Sequence, residues 1–287
     1  MINHRRTRIL LDSGDPDETV RIRKLLGYLD GQTTNPSLIA SNPHIVKYLA
    51  SGLRFTSQQE NEEYRAIVRR ISPLVGSAGV SVEVFADSST SAEHMFNQGR
   101  EMYTWVDNAY IKYPCTAEGI RAAQLSVASG IRVNMTLCFS QQQAAAVYAA
   151  TKGTLKPVYI SPFIGRLDGT GKPGIDLVKN IQRMLLQGDG HVLLLAARIR
   201  SLEHLLYCLS IEVDLVTVPA SVLNEWAAAD FPVMAPTVMH RWAGDIIPYH
   251  YLDLEQPWES FNVAHPLTTQ GIARFAADYE QELATAI

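Results

Sequence analysis

Short apolar runs alternate with longer amphipathic segments along almost the whole chain. The runs stay apolar on consecutive positions instead of alternating with polar ones, which is typical of parallel strands covered on both faces. We predict strands at 8–12, 29–32, 80–85, 109–113, 131–137, 157–161, 191–197 and 213–218. We predict helices at 21–28, 36–50, 58–71, 91–105, 116–129, 140–150, 175–186, 202–209, 220–229 and 268–283.

Eight strand–helix units in about 250 residues match the size of a (β/α)8 TIM barrel. A doubly wound open sheet is the alternative, but no GxGxxG sequence follows the first strand and no Walker sequence occurs. We therefore predict an α/β fold with one barrel domain over residues 1–287. A loop and helix at 230–287 are expected to pack on the barrel.

The composition excludes several classes of function. Apolar residues make up 47% and charged residues 19%, as in ordinary globular proteins. The net charge of −4 without a basic run argues against binding to nucleic acid or to an anionic membrane surface. The sequence contains no run of about 18 apolar residues, so no membrane-spanning helix is predicted. The N-terminus lacks the apolar core of a signal peptide.

The cysteine and histidine patterns argue against a metal site. Cys115, Cys138 and Cys208 are odd in number and widely spaced, which favours reduced thiols in a cytoplasmic protein. The histidines form no closely spaced ligand pair. We expect neither a metal nor a cofactor.

A lysine lies within the fourth predicted strand. Lysine is rarely buried without compensation, and desolvation favours the neutral amine that forms a Schiff base. Taken alone, Lys112 is better explained by an ammonium group that reaches a surface carboxylate. In a barrel, however, chemistry takes place at the C-terminal ends of the strands. Polar residues occur at or near these ends at Asp12, Thr33, Asn35, Glu83, Lys112, Asn134, Thr136, Ser161, Arg166, Arg198 and Arg200.

Four segments in chain order resemble the transaldolase family. They are GQTTNPSLI at 31–39, IKYPCTAEG at 111–119, NMTLCFS at 134–140 and ISPFIGR at 160–166. The resemblance implies a class I aldolase-type barrel that transfers a dihydroxyacetone unit through a lysine Schiff base. The donor would be a ketose phosphate such as fructose 6-phosphate or sedoheptulose 7-phosphate, and the acceptor an aldose phosphate, as in the pentose phosphate pathway.

The resemblance also implies roles for individual residues. Lys112 is similar to the Schiff-base lysine, Asp12 to the acid/base residue, and Glu83 with Thr136 to the pair that holds a water molecule. Substrate contacts are implied for a second group, in which we include Thr33 because it lies at a strand end. This group comprises Thr33, Asn35, Asn134 and Ser161 for the sugar, and Arg166 and Arg200 for the phosphate.

Two positions distinguish the close relatives within this resemblance. Transaldolases have glutamate on strand three and phenylalanine in the strand-six block, whereas the small fructose 6-phosphate aldolases have glutamine and tyrosine. Glu83 and Phe163 therefore favour transfer over release of free dihydroxyacetone, which is the alternative. A barrel that has lost catalysis and serves as a scaffold is disfavoured, because all four residues with implied catalytic roles are present.

The chain departs from the family pattern after strand seven. The usual Ala-Ser-Phe-Arg is replaced by Ala197-Arg-Ile-Arg200, so that Arg198 stands where a phosphate-binding serine is expected. Either Arg198 still donates to the same phosphate, or the pocket accepts an unusual sugar of a biosynthetic pathway. The aromatic loop at 242–261 is compatible with a lid, with a homo-oligomer contact or with a structural wrap around the barrel.

Overall fold

The computed structural model describes residues 7–233 and 246–280. All strand pairs are parallel and follow chain order, and β1 closes the barrel against β8. The predicted (β/α)8 TIM barrel is therefore confirmed. The strands are β1 Arg8–Asp12, β2 Gly31–Thr33, β3 Gly79–Glu83, β4 Ala109–Pro114, β5 Val133–Cys138, β6 Val158–Pro162, β7 Val192–Ala196 and β8 Leu215–Val218.

The helices surround this barrel. They are α1 Pro16–Leu26, α2 Pro36–Ala40, α3 Pro43–Ala50, α4 Ser57–Ile71, α5 Ala92–Met102, α6 Ala117–Ala128, α7 Gln141–Ala150, α8 Ile164–Asp168, α9 Gly174–Leu185, α10 Leu202–Ser210, α11 Ala220–Ala228 and α12 Pro266–Glu280. Short 3-10 turns occur at Ser72–Leu74 and Trp258–Ser260.

Local caps explain where the elements differ from the prediction. The single helix expected at 36–50 is two helices, because the Asn42 side chain accepts from the His44 N–H and starts α3 anew. Glu83 was expected inside a longer strand at 80–85, but it ends β3. The strand predicted at 109–113 extends to Pro114, which is paired with Thr136.

The interior of the barrel is divided into an apolar and a polar half. Toward the N-terminal ends of the strands, a separate cluster of buried side chains fills the interior: Leu10, Ala78, Tyr110, Tyr159, Leu195 and Leu215. The rings of Tyr110 and Tyr159 stack with centroids 4.2 Å apart. Because side chains alternate along each strand, residues two positions further along also point inward. Four of these are polar and line the space above the plug: Asp12, Lys112, Ser161 and Thr217.

The C-terminal helix α12 is attached at the open end of the barrel. Thr268 donates to the Leu137 carbonyl at 2.9 Å and accepts from Gln143 at 2.9 Å. Gly271 lies so close to Leu137 that a Cβ atom would be 2.6 Å from Leu137 Cδ2. This close approach brings the following residues of α12, Arg274 and Phe275, to the mouth of the barrel.

The described part of the aromatic loop packs on the outside of the barrel. His250 and Gln141 exchange two hydrogen bonds, and Tyr249 lies under the Arg183 guanidinium, 4.1 Å from the ring centroid. Trp258 is buried, and Trp242 lies outside the described residues. Within the part of the chain that the structure describes, no helix combines the length and apolar character needed to cross a bilayer.

Candidate active site

A cleft at the C-terminal end of the barrel collects most of the predicted site residues. It encloses about 610 Å³, counted with its open mouth. Ten of the predicted residues line it: Asp12, Thr33, Asn35, Lys112, Asn134, Thr136, Ser161, Phe163, Arg166 and Arg198. Glu83 and Arg200 do not line this cleft.

Lys112 and Glu83 are neighbours in register on β4 and β3. Lys112 Nζ lies 2.8 Å from Glu83 Oε2, and the two side chains are only 5% and 4% exposed. Lys112 Nζ also donates to the Thr34 carbonyl at 2.9 Å. Burial raises the pKa of Glu83, while the Lys112 charge opposes this rise. Glu83 is therefore a basic carboxylate that can exchange a proton with Lys112.

Asp12 ends β1 and is fixed by two threonines. Thr33 Oγ1 donates to Asp12 Oδ1 at 2.8 Å, and it is hydrogen-bonded to Thr217 Oγ1 at 2.6 Å. Burial raises the pKa of Asp12, and Lys112, the Thr33 hydrogen bond and Arg198 oppose the rise. Thr217 lines the cleft but was missed from the sequence. The two-residue alternation of β8 was the available signal, because Thr217 follows the inward-facing Leu215.

An asparagine links three strands under the cleft. Asn134 Nδ2 donates to Ser81 Oγ at 3.0 Å, and Asn134 Oδ1 accepts from Ser161 Oγ at 2.7 Å. Thr136, two residues further along β5, has a buried hydroxyl without a hydrogen-bond partner among the described residues. The Ser161 and Asn134 side chains are therefore oriented by each other, whereas Thr136 has free capacity toward a ligand.

Asn35 and Phe163 each have a structural role as well as a place in the cleft. Asn35 Oδ1 accepts from the Leu38 N–H at 3.0 Å and caps α2. Phe163 is 8% exposed and meets Phe139 edge to face, with centroids 5.7 Å apart. These contacts fix both side chains at the rim.

Arginine side chains dominate one wall of the cleft. Burial and mutual repulsion lower the pKa of Arg166 and Arg198. Neither they nor Arg200 form an ion pair with any carboxylate in the described ranges 7–233 and 246–280. Arg200 instead extends across Gly165, where a Cβ atom would be 2.5 Å from Arg200 Cδ. This wall is electropositive and suited to an anion.

Arg198 occupies a strained position on this wall. Its φ of +57° lies in the left-handed region, which is unfavourable for a residue with a Cβ atom. Its Nε is buried without a hydrogen-bond partner among the described residues. Its charge also acts on the pKa of Asp12. The charge of this strained residue therefore acts both on Asp12 and on Arg166.

Arg274 adds a cation that was not predicted. It comes from α12 and lines the cleft, and its Nε lies 3.8 Å from Asp278 Oδ2. The position of a C-terminal helix relative to a barrel mouth leaves no local signal in the sequence. For metals, the residues that the structure describes contain no group of three or more His, Cys, Asp or Glu side chains arranged as a ligand set.

The comparisons with known proteins agree with this geometry. A model of the transaldolase/fructose-6-phosphate aldolase family matches residues 9–286. A probable transaldolase of Parabacteroides distasonis is 32% identical over 274 residues, which covers 96% of this chain and 98% of the relative. One of Lactiplantibacillus plantarum is 30% identical over 278 residues, covering 97% and 99%. One of Bacteroides thetaiotaomicron is 38% identical over 199 residues, covering 69% and 81%.

Proposed function

We propose that Lys112 carries the three-carbon unit as a Schiff base, because this chain belongs to the transaldolase/fructose-6-phosphate aldolase family and is an enzyme of the transaldolase type. The observation that carries the proposal is the buried Lys112–Glu83 pair, whose lysine lines a cationic cleft. A class I mechanism needs a desolvated lysine with a proton acceptor in contact, and this pair supplies both.

The first step is formation of the iminium. Glu83 takes a proton from Lys112, and the neutral amine attacks C2 of the ketose. The resulting carbinolamine loses its hydroxyl as water when Glu83 returns the proton. The free hydroxyl of Thr136 is available to hold that water.

Cleavage follows because the iminium accepts the electrons of the bond between C3 and C4. Asp12 takes the proton of the C4 hydroxyl, and its raised pKa makes it a stronger base for this step. The aldehyde leaves while the three-carbon enamine stays on Lys112. In the reverse direction the enamine attacks a second aldehyde, Asp12 returns the proton and water releases the new ketose.

The substrate is proposed to be a sugar phosphate. Three arginines line the cleft, and of these only Arg274 has a carboxylate nearby among the described residues, whereas Arg166 and Arg198 have none. Arginine binds phosphate through a planar pair of donors. Asn134 and Ser161 are placed to contact the hydroxyls of the three-carbon unit. The donor is a ketose phosphate such as fructose 6-phosphate.

An acceptor with a second anionic group is a narrower candidate. Arg198 and Arg274 add two cations to the pair implied by the family pattern, and Arg198 lies close enough to Asp12 to influence its pKa. A single guanidinium binds a phosphate through two parallel donors, and the family pattern already provides Arg166 and Arg200 for that phosphate. The additional charge favours a sugar that carries, for example, a carboxylate as well as its phosphate.

The cellular location, the domain organisation and the partners of the protein are part of the same proposal. Its location would be cytoplasmic, which is supported by three cysteines that are all free and buried. Residues 1–287 would form one barrel domain. Its partners would be sugar phosphates, with neither nucleic acid nor a membrane, and a homo-oligomer stays a prediction.

Borohydride trapping tests the central assignment. The protein is incubated with fructose 6-phosphate, reduced and analysed by peptide mass, and we expect a three-carbon adduct on Lys112. Lys112→Arg should give no adduct, whereas Lys47→Arg, at an exposed lysine of α3, should trap like the wild type. An adduct at another lysine, or none in the wild type, would overturn the proposal.

A further inference from the structure

A second cavity, which we call the rear cavity, lies behind the Lys112–Glu83 pair. Among the described residues it encloses about 620 Å³, counted with its opening, and lies between α4, α5, the end of β3 and α12. Its walls include Ser57, Glu60, Tyr64, Glu83 and Tyr279. Glu83 lines this cavity and not the substrate cleft. The residue that pairs with Lys112 therefore borders the rear cavity.

The rear cavity contains a second buried carboxylate that the chemistry above does not use. Glu60 is 6% exposed, and burial raises its pKa to about 7, while a hydrogen bond with Tyr279 opposes the rise. The titratable groups that face it from the surrounding elements are Tyr64 on α4, Glu83 on β3 and Tyr279 on α12. No ion pair is formed by Glu60 within the described part of the chain.

Hydrogen bonds connect the wall of the rear cavity with Lys112. The Tyr64 hydroxyl accepts from the Glu83 N–H at 3.0 Å and is hydrogen-bonded to Thr34 Oγ1 at 2.6 Å. The Thr34 carbonyl in turn accepts from Lys112 Nζ at 2.9 Å. The same tyrosine thus lines the rear cavity and is hydrogen-bonded to the Glu83 backbone and to the Thr34 side chain, the two residues that Lys112 Nζ contacts.

The chemistry of a Schiff base requires water at this place. When the carbinolamine on Lys112 loses its hydroxyl, the oxygen leaves with a proton from Glu83 as one water molecule. Hydrolysis of the product iminium takes up one water molecule again. At both moments the sugar phosphate occupies the substrate cleft, so that a second route to Glu83 has a function.

We propose that the rear cavity is the route by which this water passes between the Schiff base and solvent, and that Glu60 is a positioning residue that hydrogen-bonds the water on its way to Glu83. The inference rests on the proposed function, because only a Schiff-base mechanism needs the water. Glu60 itself contacts neither substrate nor Lys112.

Exchange of the carbonyl oxygen measures the water step separately from carbon–carbon cleavage. Fructose 6-phosphate is incubated with the enzyme in water labelled with the heavy oxygen isotope, and label at C2 is followed by mass spectrometry. Each passage through the iminium and back replaces the C2 oxygen. The wild type should exchange well above the rate without enzyme.

A bulky side chain at the opening should slow this exchange. Ser57 is exposed and lines the rear cavity. Ser57→Trp is therefore expected to reduce the exchange rate about tenfold or more, which corresponds to about 1.4 kcal/mol in the activation free energy of exchange. Gln58→Trp is the matched control, because Gln58 is exposed on the same helical turn and does not line the cavity. Equal exchange in both variants would overturn the inference.

The Glu60 part of the inference has its own readout. The ratio of the exchange rates of Glu60→Gln and wild type should change between about pH 6 and pH 8. The Glu60 carboxyl of the wild type ionises in this range, whereas the glutamine does not ionise. A ratio that is constant with pH would reduce Glu60 to a structural role and contradict the proposal. Absence of exchange in the wild type would overturn the Schiff-base mechanism as well, which distinguishes the two failures.

Discussion

Lys112 and Glu83 form an ion pair with 2.8 Å between Nζ and Oε2, in which both side chains are almost completely buried. A buried pair gains little over an apolar pair, but removal of one partner leaves an uncompensated charge. Glu83→Gln should therefore lower the free energy of unfolding by about 3–5 kcal/mol. The double variant Lys112→Met with Glu83→Gln should recover most of this loss. Urea unfolding at neutral pH measures both, and additive losses would contradict the coupling.

Glu60 should make the stability of the protein depend on pH. Its pKa of about 7 in the folded state lies above the ordinary 4.5, so the folded state retains a proton that the unfolded state has released. Stability is therefore full below about pH 4.5 and declines by about 3 kcal/mol as the pH rises to 7. Glu60→Gln lacks this decline, and its stability relative to wild type should be higher at pH 8 than at pH 4.

Denaturant unfolding at both pH values checks the Glu60 prediction. Glu62→Gln is the control, because Glu62 is exposed on the same helix and should show no such difference. If Glu60→Gln and wild type differ by the same amount at both pH values, Glu60 does not hold a proton in the folded state near neutrality.

The barrel itself could be predicted because its signal is repeated. Each buried parallel strand is apolar on both faces, and polar residues occur at or near the strand ends. Asp12 and Lys112 were therefore expected at the mouth of the barrel, where both line the cleft. The helix caps were harder to predict, and the cap at Asn42 starts a second helix inside the single helix expected at 36–50. Thr217 followed the alternation of β8 and was nonetheless overlooked.

Other features of the site depend on contacts between distant parts of the chain. Arg274 reaches the cleft only because Gly271 lets α12 approach Leu137. The rear cavity is formed by α4, α5 and α12 together, and no segment alone indicates it. The left-handed backbone conformation of Arg198 likewise could not be predicted from its residue type, because arginine does not favour this conformation.

Arg198 should discriminate between ligands with one and two anionic groups. Glycerol 3-phosphate and 3-phosphoglycerate have the same carbon chain and differ by a terminal hydroxyl or carboxylate. The wild type should bind 3-phosphoglycerate about tenfold tighter, since a charged hydrogen bond contributes about 1.5–3 kcal/mol. Arg198→Ser should abolish this difference. Competitive inhibition of Schiff-base trapping measures it, and equal affinities in the wild type would leave Arg198 without a second anion to bind.

Arg274 should contribute to phosphate binding from α12. Arg274→Ala is expected to raise KM for fructose 6-phosphate about tenfold, equivalent to about 1.4 kcal/mol, because one charge is removed from the cleft wall. KM for unphosphorylated fructose should not change. Gln270→Ala, at an exposed position of the same helix that does not line the cleft, serves as the control. A similar rise for both substrates would indicate that α12 has shifted instead.

Phe163 should determine whether the three-carbon unit is transferred or released. It lines the cleft with a side chain that has no proton to donate, so the enamine on Lys112 is expected to persist until an aldehyde arrives. Phe163→Tyr adds a hydroxyl there and should raise several-fold the release of free dihydroxyacetone from fructose 6-phosphate without an acceptor. Phe139→Tyr is the matched control, because Phe139 packs against Phe163 but does not line the cleft. Unchanged release in Phe163→Tyr, or an equal increase in both variants, would separate this position from the fate of the three-carbon unit.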